Sequence, residues 1–233
     1  MISALGFLTV LLVSCSLAGA DIIREALVNL CDPAKIETIT ANQDANSRVL
    51  QICYWLEMAR QDGRDPVSEM HAVMMDIGWG ADVKGNLTAG AMVENWAVAK
   101  RHGCLDQAGM ADLRRGDSPT IRIGRDAGDK LSVYYLIPLS VYPELDTTLA
   151  NLRLVPMQSY HYKFNPIGWK QVEWVRECYA AGLLSNDDVL RLLPTLETAV
   201  WTEKKKGKCG TNGFKAGLYL YRIKEELRRR GAL

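Results

Sequence analysis

The stretch KLSVYYLIPLSVYPELDTTLANLRLVPMQSYHYKF, Lys130–Phe164, contains two apolar segments that alternate with polar residues and are separated by turn residues. Alternation with a period of two, in segments rich in Val, Leu and Tyr, predicts strands. KLSVYYLIPLS and NLRLVP therefore predict a hairpin, and MQSYHYKF predicts the beginning of a helix. We expect a small unit of two strands and one helix.

The sequence on either side of this unit has helical periodicity. In ANSRVLQICYWLEMARQDG, Val49, Ile52, Cys53 and Leu56 recur at spacings of three and four, which is typical of one buried helical face. Similar patterns predict helices in DPVSEMHAVMMDIG, TAGAMVENWAVAKRHG, DQAGMADLRRG, IGWKQVEWVRECYAAG and SNDDVLRLLPTLETAVW. The predicted fold class is α+β, mostly helical. Its expected organisation is a leader (1–20), a helical region (21–115), the hairpin unit (116–168) and C-terminal helices with a basic tail (169–233).

Composition limits the function classes that the chain can belong to. Of its 233 residues, 48% are hydrophobic, which is enough to bury a substantial core and argues against general disorder. The 28 basic and 27 acidic residues nearly cancel, so the overall charge implies neither a nucleic-acid nor a membrane partner. From Trp201 onward, however, there are ten Lys or Arg against three Glu. This tail either tracks phosphates or forms a solvated helical face.

The first twenty residues, MISALGFLTVLLVSCSLAGA, carry no charge and end in small residues. They resemble an export signal more than a membrane span, which needs roughly 20 continuous apolar residues. The AGA before Asp21 suits a signal-peptidase site, whereas LVSC suits a lipobox that would place a lipid on Cys15 and tie the protein to a membrane. We expect an exported protein, either periplasmic, secreted or lipid-anchored. The alternative is a buried N-terminal helix.

Five cysteines follow Cys15 at wide spacings, and no CxxC pair occurs among them. A zinc ribbon or a thioredoxin-type site is therefore not supported. Two interpretations remain open: two disulfides and one unpaired thiol in an exported chain, or buried apolar cysteines.

The hairpin unit also carries a likeness to known enzymes. AGDKLSVYYLIPLSVYPELDTTLANLRLVP, followed by Lys163 and NPIG, resembles the His-Asn-His (HNH) endonucleases between about Gly116 and Gly168. The resemblance implies a ββα-metal unit that holds one divalent ion (Mg, Mn or Zn) and cuts phosphodiester bonds. In such a site a histidine acts as general base, a role that contributes ~10²–10⁴-fold, and the metal stabilises the phosphoryl oxygens and the leaving group.

Three positions match the family pattern. Asn151 stands where the family has its central Asn, which bridges the loop between the strands by hydrogen bonds. Pro138 matches the proline after the base. Lys163 matches the trailing Lys, and the resemblance implies that it contacts substrate.

The Asp-His pair of the family is replaced. Tyr134 occupies the position of the metal-binding acid and Tyr135 that of the base, while the metal-binding position on the helix falls on Tyr160, with His161 one residue beyond. A phenol, with an ordinary pKa near ~10, stays protonated at neutral pH and is a poor base and a poor metal ligand. Magnesium prefers carboxylates, carbonyls and water.

Two functional hypotheses follow. In the first, the chain is a non-catalytic relative that uses the scaffold to bind nucleic acid, through Lys163, His161 and the basic tail, or a protein partner. In the second, it is an active metal-dependent endonuclease with a rebuilt site. That site would recruit His161, use Tyr135 as a nucleophile, or draw Glu144 or Asp146 from the loop.

Overall fold

The computed structural model describes residues 22–36, 42–80, 82–145, 148–158, 168–205 and 211–233. The predicted class, α+β and mostly helical, is confirmed. Its strands are β1 (Leu131–Tyr135) and β2 (Leu152–Pro156), which pair antiparallel. Its helices are α1 (22–31), α2 (Pro33–Ile36), α3 (Asn42–Gln61), α4 (Pro66–Asp76), α5 (Val83–Arg101), α6 (Gln107–Arg115), α7 (Trp169–Ala180), α8 (Asn186–Lys205) and α9 (Thr211–Arg229).

Two of these helices begin with the same four-residue pattern, an Asp followed three residues later by a Gly. Asp82 and Asp106 each accept a hydrogen bond from the backbone N–H of that glycine, Gly85 or Gly109, at 2.7 Å. These bonds satisfy an N–H group that has no partner inside the helix. A Cβ on Gly109 would lie 2.1 Å from the carbonyl oxygen of Cys104. The glycine is therefore required by the tight turn that leads into α6.

Residues from α1, α3, α4, α5 and α6 form a first hydrophobic core, and one face of the hairpin completes it. The hairpin contributes Leu131, Val133, Leu152 and Leu154, all buried. The two-strand sheet thus covers one side of a helical bundle. Two strands alone are marginally stable in water, so the hairpin depends on this packing.

A second hydrophobic core lies among α7, α8 and α9. Ile137 and Ala150, from the connection between the two strands, are buried in it beside helical residues such as Val175 and Ile223. The hairpin therefore belongs to both cores: its strands pack on the first, and its turn packs on the second. No helix among the described residues is long and apolar enough to span a bilayer.

Four cysteines, Cys31, Cys53, Cys104 and Cys178, are free and buried. Burial raises the pKa of the Cys31 thiol to about 12 and that of Cys104 to about 11, because the low-dielectric interior disfavours a thiolate. At these four positions the structure corresponds to the buried apolar alternative. Cys15 and Cys209 lie outside the described residues.

The outer edge of β2 is covered by a side chain. Asn95 of α5, fully buried, accepts a hydrogen bond from the Leu154 N–H at 2.9 Å and donates its Nδ2 to the Leu152 carbonyl at 3.0 Å. One amide thereby supplies the donor and the acceptor that a third strand would offer. Unpaired backbone groups on a buried edge are costly, so Asn95 is what allows β2 to lie inside the protein.

We expect Asn95→Ala to lower the free energy of unfolding by about 1–3 kcal/mol, because it leaves the Leu154 N–H without an acceptor and removes one of the two donors to the Leu152 carbonyl. Urea denaturation followed by circular dichroism measures this. Glu94→Gln, an exposed neighbour on the same helix, is the matched control and should change stability by less than ~0.5 kcal/mol. Equal effects of the two variants would contradict the role given to Asn95.

Candidate functional site at the hairpin

The connection between the strands is held by one buried amide. Asn151, which is 0% exposed, accepts a hydrogen bond from the Ile137 N–H at 2.9 Å and donates its Nδ2 to the Ile137 carbonyl at 3.1 Å. The Leu136 N–H donates to the Asn151 carbonyl at 2.9 Å. Both ends of the connection are therefore tied together where β1 ends and β2 begins.

Pro138 follows directly and begins a turn. Its carbonyl accepts hydrogen bonds from the N–H groups of Val141 at 2.9 Å and Tyr142 at 3.1 Å. The turn uses only the carbonyl of Pro138, its first residue, so the missing N–H of proline removes no hydrogen bond from it. The buried Ile137 just before it is directed into the second core.

The two adjacent tyrosines lie on opposite faces of β1. Tyr135 packs against the first core, and its hydroxyl donates to Asn46 Oδ1 of α3 at 3.3 Å. Tyr134 pairs in register with Arg153 of β2, so both side chains lie on the other face of the sheet. The residue at the position of the family's base is thus engaged with α3, away from the face that carries Tyr134.

Four residues named in the sequence analysis, Tyr160, His161, Lys163 and Asp146, lie outside the described residues, as does the side chain of Glu144. Met157 and Gln158 are helical, but the third element of the expected ββα unit falls on residues 159–167, which are also outside them. The structure therefore brings together Tyr134, Tyr135, Pro138 and Asn151, and gives no position for the other predicted site residues.

The described residues do not fit a divalent-metal site. Nowhere in the described ranges do three or more His, Cys, Asp or Glu side chains converge as metal ligands would. Tyr134, at the position of the family's acid, contributes a phenol instead of a carboxylate, and hard divalent cations prefer carboxylate and carbonyl oxygens.

The face that carries Tyr134 holds a cation built into the protein. The Nη1 of Arg153 donates to the carbonyls of Ala150 at 3.0 Å and Leu152 at 2.9 Å. Its guanidinium carbon lies 5.0 Å from the centre of the Trp174 ring on α7, in a cation–π arrangement. Two carbonyls and one aromatic ring thus fix the orientation of the side chain.

Burial lowers the pKa of Arg153 to about 10, because the charged form loses hydration. The guanidinium is still protonated at neutral pH. Glu94 and Glu177 lie near enough to oppose this shift by attraction. Each of these acids has a cation of its own, Arg101 at 3.9 Å and Arg176 at 3.2 Å. Within the part of the chain that the structure describes, no carboxylate lies within ion-pair distance of Arg153.

The ring that supports Arg153 also has an unused donor. Trp174 is 5% exposed, and its Nε1 has no hydrogen-bond acceptor in the described structure. A buried N–H of this kind is uncommon and costly.

Sequence reasoning did not single out Arg153. In NLRLVP, an Arg between two leucines has the ordinary pattern of an outward residue on a half-buried strand. Its partner Trp174 lies on a helix 21 residues further along the chain, and only the packing of α7 brings the ring to the guanidinium. The pairing of Arg153 with Tyr134 across the hairpin could have drawn attention to it, but this pairing is known only once the strand register is known.

Comparison of the chain with protein-family models, with curated proteins and with solved structures finds no match.

Asn151→Asp tests the two hydrogen bonds that the Asn151 side-chain amide makes with Ile137. The introduced carboxylate still accepts from the Ile137 N–H, but its other oxygen faces the Ile137 carbonyl and repels it. Burial and this repulsion raise its folded pKa above the ordinary value of ~3.9. The loss of stability should therefore be small at pH values below ~3.9 and grow, as the pH rises through the folded pKa, to about 2–4 kcal/mol at neutral pH.

The measurement is urea denaturation of the variant and the unchanged chain at each pH. Asn46→Asp is the matched control, because the one side-chain hydrogen bond of Asn46 to another described residue is the one that it accepts from Tyr135, and a carboxylate accepts equally well. A loss of stability in Asn151→Asp that does not depend on pH would contradict the donor role of Asn151 Nδ2.

Proposed function

We propose that this chain is a non-catalytic binding protein that keeps an HNH-like hairpin and uses it to bind the phosphate groups of nucleic acid. Arg153 is the principal contact. The basic tail adds charge, and His161 and Lys163 of the expected helix add further contacts. Export of the protein stays part of this proposal.

The observation that carries the proposal is the guanidinium of Arg153 on the face of the hairpin that carries Tyr134. It is protonated at neutral pH and held by the carbonyls of Ala150 and Leu152. Arginine presents several N–H donors in a planar fork that suits phosphate oxygens. A fixed cation of this kind attracts a phosphate without a bound metal.

The engagement of Tyr135 supports a binding role over a catalytic one. A general base must reach the proton that it removes, whereas the Tyr135 hydroxyl donates its own proton to Asn46 and its ring packs on the first core. These contacts explain the presence of Tyr135 as a residue that stabilises the hairpin.

The decisive variant is Arg153→Leu, measured by the fluorescence anisotropy of labelled DNA and RNA oligonucleotides in a chelating buffer over a range of salt. We expect the variant to bind more weakly than the unchanged chain at low salt. The negative slope of its log affinity against log salt should be shallower by about one, as when a single phosphate contact is lost. Arg153→Lys, which keeps the charge without the fork, should show an intermediate affinity.

Arg125→Leu is the control, because this arginine is highly exposed in the loop before β1 and should leave affinity and slope unchanged. Replacing a buried charge with an apolar residue is often neutral for stability, so Arg153→Leu should remain folded by circular dichroism. No oligonucleotide binding by the unchanged chain would refute the proposal. Plasmid nicking that magnesium or manganese stimulates, and that His161→Ala or Tyr135→Phe abolishes, would favour the active endonuclease instead.

A further inference from the structure

Helix α9 has an apolar row on the side that faces away from the second core. Phe214, Leu218 and Tyr221 are 76%, 37% and 54% exposed. At 3.6 residues per turn they lie within an arc of about 60°. The opposite side of the helix carries the buried residues Ala216, Leu220, Ile223 and Leu227. The helix is therefore apolar on two sides, and only one of them is needed for folding.

Basic residues flank this row on both sides. Lys215 and Arg222 lie along one flank and Arg228 along the other, as their helical positions require. Arg222 and Arg228 have no ion-pair partner among the residues described, and Lys215 lies 5.2 Å from the centre of the Trp169 ring. We call these three cations and the apolar row together the α9 outer surface. Glu225 lies in line with this row and accepts a hydrogen bond from the Tyr221 hydroxyl at 2.5 Å.

A neighbouring helix packs closely against α9 and carries a further exposed aromatic residue. Val200 of α8 lies 4.0 Å from the position that a Cβ on Gly217 would occupy, so the two helices pack closely there. Trp201, next in sequence to Val200, is 57% exposed. Large apolar side chains grouped on a surface mark an interaction site more often than single ones do.

We propose that the α9 outer surface binds an anionic lipid membrane at its interface. An apolar row of Phe, Leu and Tyr between basic flanks suits a helix that lies along a bilayer, with its apolar side chains among the acyl chains and its cations at the headgroups. Tyr and Trp favour this interface because each has an apolar ring and a polar group. Lys and Arg reach the headgroups on long apolar stems.

Charge and shape favour this partner over two others. A second copy of the chain, related by a twofold axis, would set the same basic surface against itself. A nucleic-acid strand would use aromatic rings for base stacking, but the aliphatic Leu218 lies between the rings and gains little from a base. Membrane hydrocarbon accommodates all three apolar side chains.

The test is sedimentation of the full chain with vesicles of equal parts phosphatidylglycerol and phosphatidylcholine, and with vesicles of pure phosphatidylcholine. We expect binding to the anionic vesicles, weakened by salt, and little binding to the neutral ones. Phe214→Ala with Leu218→Ala should lower the partition constant by about tenfold or more. Lys215→Gln with Arg222→Gln should lower it on anionic vesicles alone.

Two pairs of control variants match these in exposure and chemistry. Met75→Ala with Ile123→Ala removes apolar side chains that are 61% and 60% exposed elsewhere, and Arg101→Gln with Arg125→Gln removes exposed cations. Neither should change binding. Every variant carries the same first twenty residues, so the differences report the α9 outer surface.

Three outcomes would overturn this assignment. The first is equal binding of the unchanged chain and the Phe214→Ala, Leu218→Ala variant to anionic vesicles. The second is self-association, seen by light scattering, that the same variant abolishes. The third is loss of oligonucleotide binding, without loss of vesicle binding, in that variant. Because Arg153 is unchanged throughout, failure of the membrane assignment is distinguishable from failure of the nucleic-acid proposal.

Discussion

The pair of hydrogen bonds between the Asn151 amide and the Ile137 backbone is the constraint on which the hairpin depends. The connection between β1 and β2 leaves the sheet, enters the second core at Ile137 and returns at Ala150. Such a long connection does not fix strand register by turn geometry alone. By holding both ends together, Asn151 keeps Tyr134 opposite Arg153 and Tyr135 opposite Leu152.

The same region shows how two helical cores can share one small sheet. Asn95 covers the outer edge of β2 with a donor and an acceptor, and Tyr135 contacts α3 through Asn46. On the opposite face, Arg153 rests on Trp174 of α7. Asn95 and Arg153 thus satisfy backbone groups of β2 and of the connection before it, and the position of Arg153 follows from this arrangement.

Much of the local structure could be predicted from sequence because it depends on short-range rules. Period-two alternation indicated both strands, and the family resemblance singled out Asn151. Long-range contacts could not be predicted in the same way. Asn95 has no distinguishing pattern within α5, and its role depends on β2 packing beside that helix. The cation–π contact of Arg153 likewise depends on the placement of α7, which no periodicity indicates.

Amide hydrogen exchange of Ile137 and Leu154 tests the central claim most directly, because these N–H groups donate to Asn151 Oδ1 and Asn95 Oδ1. If the two asparagines hold the hairpin between the cores, both amides should exchange only through global unfolding, as slowly as the amide of Val175 inside α7. Rapid exchange of Ile137 and Leu154 while Val175 stays protected would contradict the account, since the hairpin would then open independently of the helices.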